Sequence, residues 1–485
     1  MRAFKLRIGL LAGTGAVLLG MAAPGMADTL RDALTQAYET NPSLQAARAQ
    51  QRGIDETVQI EKAAGRPSVT SDTTYTEFVK KSDNSFTSPD RALSSQIQLG
   101  VPIYSGGAVK NAVRAAKTRV EAGQANLRGT ESAIFSQVVA AYMDVILNEA
   151  IVELRRNQVE VLDVNLKATR DRFEIGDLTR TDVAQSQARL ALAQGDARTA
   201  AANLSNARET YIRLVGSPPG TLAPPPPLPN LPESAQSAVA IALENNPDII
   251  AAREEAEASR YDINVAGAGR LPRVSLYTQG GYNDYFGTLG SGVPGADFAQ
   301  SEKSAQVGAR LSLPLFQGGR PAALRRQAQA FASAALEAEI AAERDTVAQT
   351  RAAWSSWLAA NELIESSQVA VDAAQLSLEG VRAENTVGNR TILDILDAEQ
   401  ELLTARVRLV TSRRNAYVAG FSLLAAMGRA EARDLGLDGG VLYDPQTNYD
   451  RVRGKRFDWD DDPAPIAKGT RTVDTAVQDG EIPGK

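Results

Sequence analysis

LRDALTQAYETNPSLQAAR, residues 30–48, returns as AQSAVAIALENNPDIIAAR, residues 235–253. Pro42 matches Pro247 at an offset of 205, and Pro67 matches Pro272 at the same offset. Farther on, VPIYSGG (101–107) matches LPLFQGG (313–319) and Gly176 matches Gly388, now at 212, so one half has gained seven residues in its middle. A period near 200 is too long for a solenoid unit. The chain therefore reads as two tandem copies of one structural half, with function expected where the halves meet.

The composition removes much enzyme chemistry. No His or Cys occurs among the 485 residues, which excludes the usual zinc sites, thiol nucleophiles, His general bases and disulfides. No phosphate-binding glycine loop is present either, and no cofactor is expected. Aromatic residues make up only 5% and Ala is abundant, which suits long, closely packed helices. The start reads as an export signal: Arg2, Lys5 and Arg7 lead an apolar run (8–21), and Gly25, Met26 and Ala27 form a small-residue cleavage site before Asp28. Loss of those three cations takes the net charge from −6 to −9, which argues against a nucleic-acid partner. No later stretch reads as long and apolar enough to cross a bilayer as a helix.

Two regions break the helical texture at equivalent places. Leu93, Ile97, Leu99, Val101 and Ile103 alternate with Ser94, Gln96, Gln98 and Gly100. Ala305, Val307, Ala309, Leu311, Leu313 and Leu315 alternate with Gln306, Gly308, Arg310 and Ser312. Each run follows a turn-rich stretch (80–90; 283–302) and an earlier strand, so two β-hairpins are expected at about 67–103 and 272–316. A half-buried sheet of a soluble domain is the ordinary reading of such runs. Export and a run length of about ten residues favour strands that cross a bilayer. Membrane strands must close into a barrel of about eight or more, which four cannot do, so several copies are expected to share one barrel.

The rest is helix. Residues 107–175 contain no Pro, and a continuous helix of that length reaches about 100 Å. Val183, Leu190, Ala197, Leu204 and Tyr211 recur every seven residues, as do Ile395, Leu402, Leu409, Ala416 and Leu423. That spacing predicts coiled-coil hairpins, each ended by a glycine (Gly176, Gly388) before a capping Thr179 or Thr391. The expected layout is an export signal (1–27), a first repeat (28–216), a Pro-rich linker (217–232), a second repeat (233–428) and a flexible or loosely packed tail (429–485) with a basic cluster (Arg451, Arg453, Lys455, Arg456) and an acidic one (Asp458, Asp460, Asp461, Asp462).

The repeated Asn-Pro helix start, the PIYSGG and PLFQGG strand exits and VGNRTILDILDAE (387–399) resemble the TolC family of outer-membrane export ducts over residues 28–428. The resemblance implies a mainly α fold with a small β part: a long coiled-coil α-barrel continuous with a transmembrane β-barrel shared by a homotrimer, four strands per chain. It implies outer-membrane lipid around the barrel, a periplasmic adaptor and an inner-membrane pump of ABC or RND type as partners, and cargo of either drugs or secreted protein. It also places Asp394 and Asp397 at a periplasmic constriction, Arg390 at a latch, and Thr181 and Asp182 at the latch's partner positions. Asn385 stands where the family pattern has a Tyr. The tips, Gly176, Asp177, Leu178, Gly388 and Asn389, are the expected adaptor contacts.

Spacing alone keeps a plainer role open. Thr391 with Asp394, and Thr179 with Asp182, each fit a Thr-x-x-acid capping box. Capping accounts for Asp394 without a pore, but not for Asp397. Three apart on one helix face, the two carboxylates of three chains would also ring a pore. The competing function is a periplasmic coiled-coil scaffold without a pore.

Overall fold

The computed structural model describes residues 28–80, 88–290, 295, 297–437 and 442–482. The expected export signal and parts of both turn-rich stretches lie outside them. Each half has one layout. The first half contains helices α1 (Leu30–Thr40) and α2 (Pro42–Ala63), strands β1 (Ser68–Glu77) and β2 (Arg91–Tyr104), and helices α3 (Ala108–Glu174) and α4 (Arg180–Val215). The second half repeats them as α5 (Ala235–Asn245), α6 (Pro247–Gly267), β3 (Arg273–Asp284), β4 (Ser301–Ser312), α7 (Arg320–Thr386) and α8 (Ile392–Ala426), and a short α9 (Pro445–Val452) follows.

The duplicated Asn-Pro pair has a structural reason. Asn41 ends α1 and caps α2, its Oδ1 accepting from the amides of Ser43 and Leu44, while its Nδ2 donates to Leu214 O at 2.9 Å. Asn246 does the same between α5 and α6, and its Nδ2 donates to Ala426 O at 3.0 Å. Each Asn thus caps one helix start and satisfies a carbonyl at the far end of its half's return helix. The strand-exit glycines are equally specific: Gly106 and Gly107, like Gly318 and Gly319, all have positive φ. A Cβ on Gly106 would come within 2.8 Å of the Leu271 side chain. Only glycine turns the chain this tightly from strand into helix.

The four strands form one antiparallel sheet in the order β1-β2-β3-β4, so the two hairpins are joined across the repeat by β2 and β3. Opposed residues share a face, and the register therefore separates two surfaces. One carries Val69, Leu93, Ile97, Leu99, Leu276, Val307 and Leu311, with Tyr75 and Tyr282 toward one end. The other carries Thr70, Gln96, Gln98, Gln279, Gln306 and Ser304, with Gln306 Nε2 donating to Gln279 Oε1 at 3.0 Å. The strand limits differ slightly from the alternation in the sequence. The register shifts between Pro102 and Tyr104, so Ile103 sits in an irregularity, and β4 ends at Ser312, leaving Leu313 and Leu315 beyond it. Pro102 and Pro314 have no N–H to continue a ladder.

The long helices pack as two antiparallel hairpins, α3 with α4 and α7 with α8. Leu190, Leu204 and Tyr211, and Leu402, Leu409, Ala416 and Leu423, are buried at the seams. A second heptad row of mostly small residues, Ser186, Ala193, Ala200, Ala207 and Leu214, is buried beside the first in α4. One expectation needs amending, because α3 does contain a window long and apolar enough to cross a membrane by composition. Its apolar middle instead supplies the main core, where Phe135, Val138, Val139, Tyr142 and Val145 are fully buried with Leu34 and Ala37 of α1, Leu204 and Val215 of α4 and Leu423 and Leu424 of α8. The Pro-rich linker is pinned to this core by Tyr142, whose hydroxyl donates to Ala223 O at 2.6 Å.

Parts of the tail are tied to the body and to each other. Its basic and acidic clusters fold onto each other: Arg451 grips Asp462 with both terminal nitrogens (2.7 and 2.8 Å), and Lys455 reaches Asp460 and Asp462. Asn448 of α9 donates to the buried Asp55 of α2 at 2.7 Å. Farther on, the buried Arg208 of α4 donates to the carbonyls of Asp479 and Glu481 at 3.0 and 2.8 Å, and Ile482 packs on the main core. At this point α4 binds the tail through its backbone carbonyls.

Candidate functional site at the helical tips

Both hairpins end in the same turn. After α3, Gly176 (φ +83°) donates to Phe173 O and Asp177 to Arg172 O at 3.0 and 2.9 Å. After α7, Gly388 (φ +82°) donates to Asn385 O and Asn389 to Glu384 O, both at 3.0 Å. This crossed pair of bonds satisfies the last carbonyls of each long helix and requires a left-handed residue, which glycine supplies. The ion pairs across the two turns run in opposite senses. Arg172 pairs with Asp177 at 2.7 Å in the first tip, whereas Glu384, at the position equivalent to Arg172, pairs with Arg390 at 2.7 Å in the second. Leu178 occupies the first-tip position equivalent to Arg390. Asn385 donates its Nδ2 to Arg390 O at 2.7 Å, bracing the turn.

The return helices start on full capping boxes. Thr391 Oγ1 accepts from Asp394 N at 3.3 Å, while Asp394 Oδ2 accepts from Thr391 N and Oγ1 at 2.8 and 2.7 Å. Thr179 and Asp182 repeat this with 3.3, 2.9 and 2.7 Å. The bonds from the Thr hydroxyl, then from its amide, hold both carboxyls below the usual aspartate range. Asp394 and Asp182 therefore stay ionised down to low pH.

Asp397 lies one turn deeper and is held differently. Its Oδ1 takes an ion pair from Arg189 Nη2 of α4 at 2.6 Å, so a residue of the second hairpin is tied to the first. Beside it Leu396, 2% exposed, packs into a cluster with Leu162, Leu166, Leu190 and Ala193 of the first hairpin. Deeper in the second hairpin the buried Glu399 pairs with Arg382. Within one chain Arg390 bonds Glu384, and not Thr181 or Asp182, which sit at the start of α4. Among the described residues expected at the gate, Asp397 is the one whose side chain is ion-paired to the other hairpin. Arg189, Leu396 and Glu384 escaped the sequence reading. Arg189 lies outside the heptad rows, and Leu396 adjoins the heptad residue Ile395, so neither stood out by period.

At the other end, the apolar face of the sheet is open: Val69, Ile97, Val307 and Leu311 are all more than half exposed. Among the described residues, β1 and β4 each pair on one side only. An exposed apolar sheet with two unpaired edges is incomplete as a single chain in either water or lipid.

The family model of the outer membrane efflux protein matches residues 33–217 and 238–429, which are the two repeats. The outer membrane efflux protein BepC of Brucella suis biovar 1 (strain 1330) is 34% identical over 450 residues, spanning 92% of this chain and 94% of that protein. The outer membrane protein TolC of Escherichia coli (strain K12) is 26% identical, spanning 97% and 98%. The Campylobacter jejuni CmeC outer membrane channel shares the fold with a TM-score of 0.73 at 16% identity, over 93% of this chain and 98% of that one. Repeat, sheet, hairpins and family match agree, and the chain belongs to the outer membrane efflux protein family of TolC-like channels.

Proposed function

We propose that the chain is the outer-membrane exit duct of a tripartite export system, conducting cargo delivered by an inner-membrane pump through a periplasmic adaptor. The observation that carries the reading is the two-faced sheet. Its apolar face suits lipid, its amide and hydroxyl face suits a water-filled lumen, and its unpaired edges suit neighbours of the same kind. Three copies give a closed barrel of twelve strands, and their hairpins continue it as a tunnel through the periplasm. Residues 28–216 and 233–428 form the two structural repeats joined by the 217–232 linker, and residues 1–27 direct export. The duct performs no bond chemistry. Movement of cargo is driven by the energised partner.

The tips are the gate. Asp394 and Asp397 ring the constriction, Arg390 is the latch, and Thr181 and Asp182 of a neighbouring hairpin are its partners. Gly176, Asp177, Leu178, Gly388 and Asn389 meet the adaptor. Asp394 Oδ2 is committed to its cap, which fixes where the carboxylate points and leaves Oδ1 for the pore. A scaffold without a pore is the weaker reading, since it gives the exposed apolar sheet no role. The test is single-channel conductance of the detergent-extracted protein in planar bilayers, against Arg390→Ala. A small cation-selective conductance that grows in the variant supports duct and latch together. A channel indifferent to the change removes the latch, and protein that is soluble without detergent and never inserts removes the duct.

A further inference from the structure

The polar face of the sheet carries acids toward one end and arginines at the other. On β4 the row of Ser304 and Gln306 continues to Arg310, and on β3 the row of Gln279 continues through Tyr277 and Ser275 to Arg273, with Ser275 and Arg310 directly opposed. Both arginines lie at the helical end of the strands, since Arg273 opens β3 just after α6 and β4 leads into α7. Arg310 stands between Ala309 and Leu311, which belong to the apolar face, and Leu311 is 68% exposed. Arg310 therefore lies at the depth of the lipid-facing band, where a charge is kept only if it points to water. The nearest carboxylates on the polar face are Asp72, level with Ser304, and Glu302. They lie about 20 and 27 Å farther along the strands.

Arg310 is held by an aromatic platform. Tyr277 of β3 faces Gly100 of β2 and Gly308 of β4, and its ring lies across Gly308, where a Cβ would come within 2.7 Å of the hydroxyl. Glycine on both sides lets the ring lie flat on the sheet. The Arg310 guanidinium carbon sits 5.4 Å from that ring's centroid. Stacking occupies the flat face of a guanidinium and leaves its N–H edges, which are the edges that grip carboxylate or phosphate. Local sequence offers no counter-charge. No Asp or Glu occurs in any of the four stretches that cross between sheet and helix, 62–71, 91–120, 263–283 and 303–336, although fourteen Lys and Arg fall within them.

We infer that Arg273 and Arg310 form an oxyanion-binding collar where the barrel meets the tunnel, with two guanidinium groups from each copy of the chain. This rests on the reading of the sheet as part of a closed barrel with its polar face inward. Each N–H fork accepts two oxygens of one group, and several forks around one lumen favour a ligand with several negative charges. The collar therefore recognises phosphate, sulfonate and clustered carboxylate groups. Its sign is opposite to that of the acidic constriction proposed at the tips, so the two stations retain different groups on a passing cargo.

The chain contains no Cys, so Ser275→Cys, opposite Arg310 and on the same strand face as Arg273, is a unique reporter. In the full-length, detergent-purified protein its reaction rate is measured with an anionic sulfonatoethyl and a cationic trimethylammonioethyl methanethiosulfonate. A unit charge about 6 Å away in water changes each rate about threefold, in opposite senses. Arg310→Gln or Arg273→Gln in this background should therefore lower the anionic-to-cationic rate ratio about tenfold at low ionic strength. Arg310→Lys keeps the charge and should keep the ratio, which separates lost charge from lost fold. Inorganic pyrophosphate should slow labelling by neutral methyl methanethiosulfonate, and should do so no longer when both arginines are Gln. A ratio unmoved by the Gln variants, or labelling indifferent to pyrophosphate, overturns the collar. Protection by pyrophosphate alone assigns the site to free inorganic anions, whereas protection by naphthalenetrisulfonate as well assigns it to anionic groups on organic cargo. In planar bilayers the Gln variants should shift the reversal potential toward stronger cation selectivity. If labelling follows the expected pattern while the parent does not conduct, the anion site stands and the duct falls. If the parent conducts and neither readout responds, the duct stands and the collar falls.

Discussion

Leu396→Ala tests the docking of the two hairpins most directly. Leu396 is 2% exposed, and its buried neighbours Leu162, Leu166, Leu190 and Ala193 all belong to the first hairpin. Its burial therefore exists only while the hairpins are docked, and its truncation weakens the closed state more than the folded one. Full burial of a leucine is worth about 1.5–3 kcal/mol, and large-to-small changes in a packed site about 2–5 kcal/mol. A helix interface can partly collapse, which sets the expectation near 2–3 kcal/mol. At 1.4 kcal/mol per factor of ten, the closed-to-open ratio falls about 30- to 150-fold for each chain. In planar bilayers the variant should show longer open dwell times and a larger mean conductance than the parent, while its melting temperature changes little. A variant channel with the parent's dwell times and conductance, still fully folded, refutes the idea that this cluster holds the tip shut.

Other parts of the structure give shorter tests. Asp182 and Asp394 have lowered carboxyl pKa values, so their capping contribution is complete above about pH 4 and is lost as the pH falls through the lower folded values. Amide exchange at the starts of α4 and α8 should accelerate only below that pH, and in Asp394→Asn the α8 start should already be fast at neutral pH. Asn41→Ala removes a cap and the bond to Leu214 O and should cost about 1–3 kcal/mol in chemical denaturation, with Asn246→Ala matching it if the halves are equivalent. Arg208→Ala leaves the carbonyls of Asp479 and Glu481 without their donor, and limited proteolysis should then remove the last residues of the tail while the helical body stays intact.

The repeat, hairpins and tip turns were legible because each depends on a local requirement that only a few residue types meet. Asn-Pro, the paired glycines after β2 and β4, and Gly176 and Gly388 all sit where capping or positive φ narrows the choice. Strand ends were less legible, since the alternation runs on through Ile103 and Leu315 although the β2–β3 register shifts between Pro102 and Tyr104 and β4 ends at Ser312. The last anchor of the tail gave no sequence signal, since Arg208 binds the backbone carbonyls of Asp479 and Glu481. The site was half legible for a related reason. Asp394 and Arg390 lie in a contiguous motif, but Asp397 finds its partner 208 residues away, and no period or spacing announces such a contact.

The two halves keep the same backbone and differ in the side chains that meet between hairpins, and this division follows from what duplication can and cannot copy. Caps, glycine turns and heptad rows are internal to each half and survive in both. Contacts between halves have no reason to be symmetric, because each hairpin meets the other along a different face. Ala184 against Leu396 and Gln185 against Asp397 are departures of this kind, and both lie within about three turns of a tip. The first hairpin presents a receptive surface of Leu162, Leu166 and Leu190, whereas the second supplies the inserted Leu396 and the charged Asp397. Toward the tip the second hairpin is held to the first by one apolar cluster and one exposed ion pair, whereas nearer the sheet its α8 is built into the main core, so the tip end is where the two hairpins separate at lowest energetic cost.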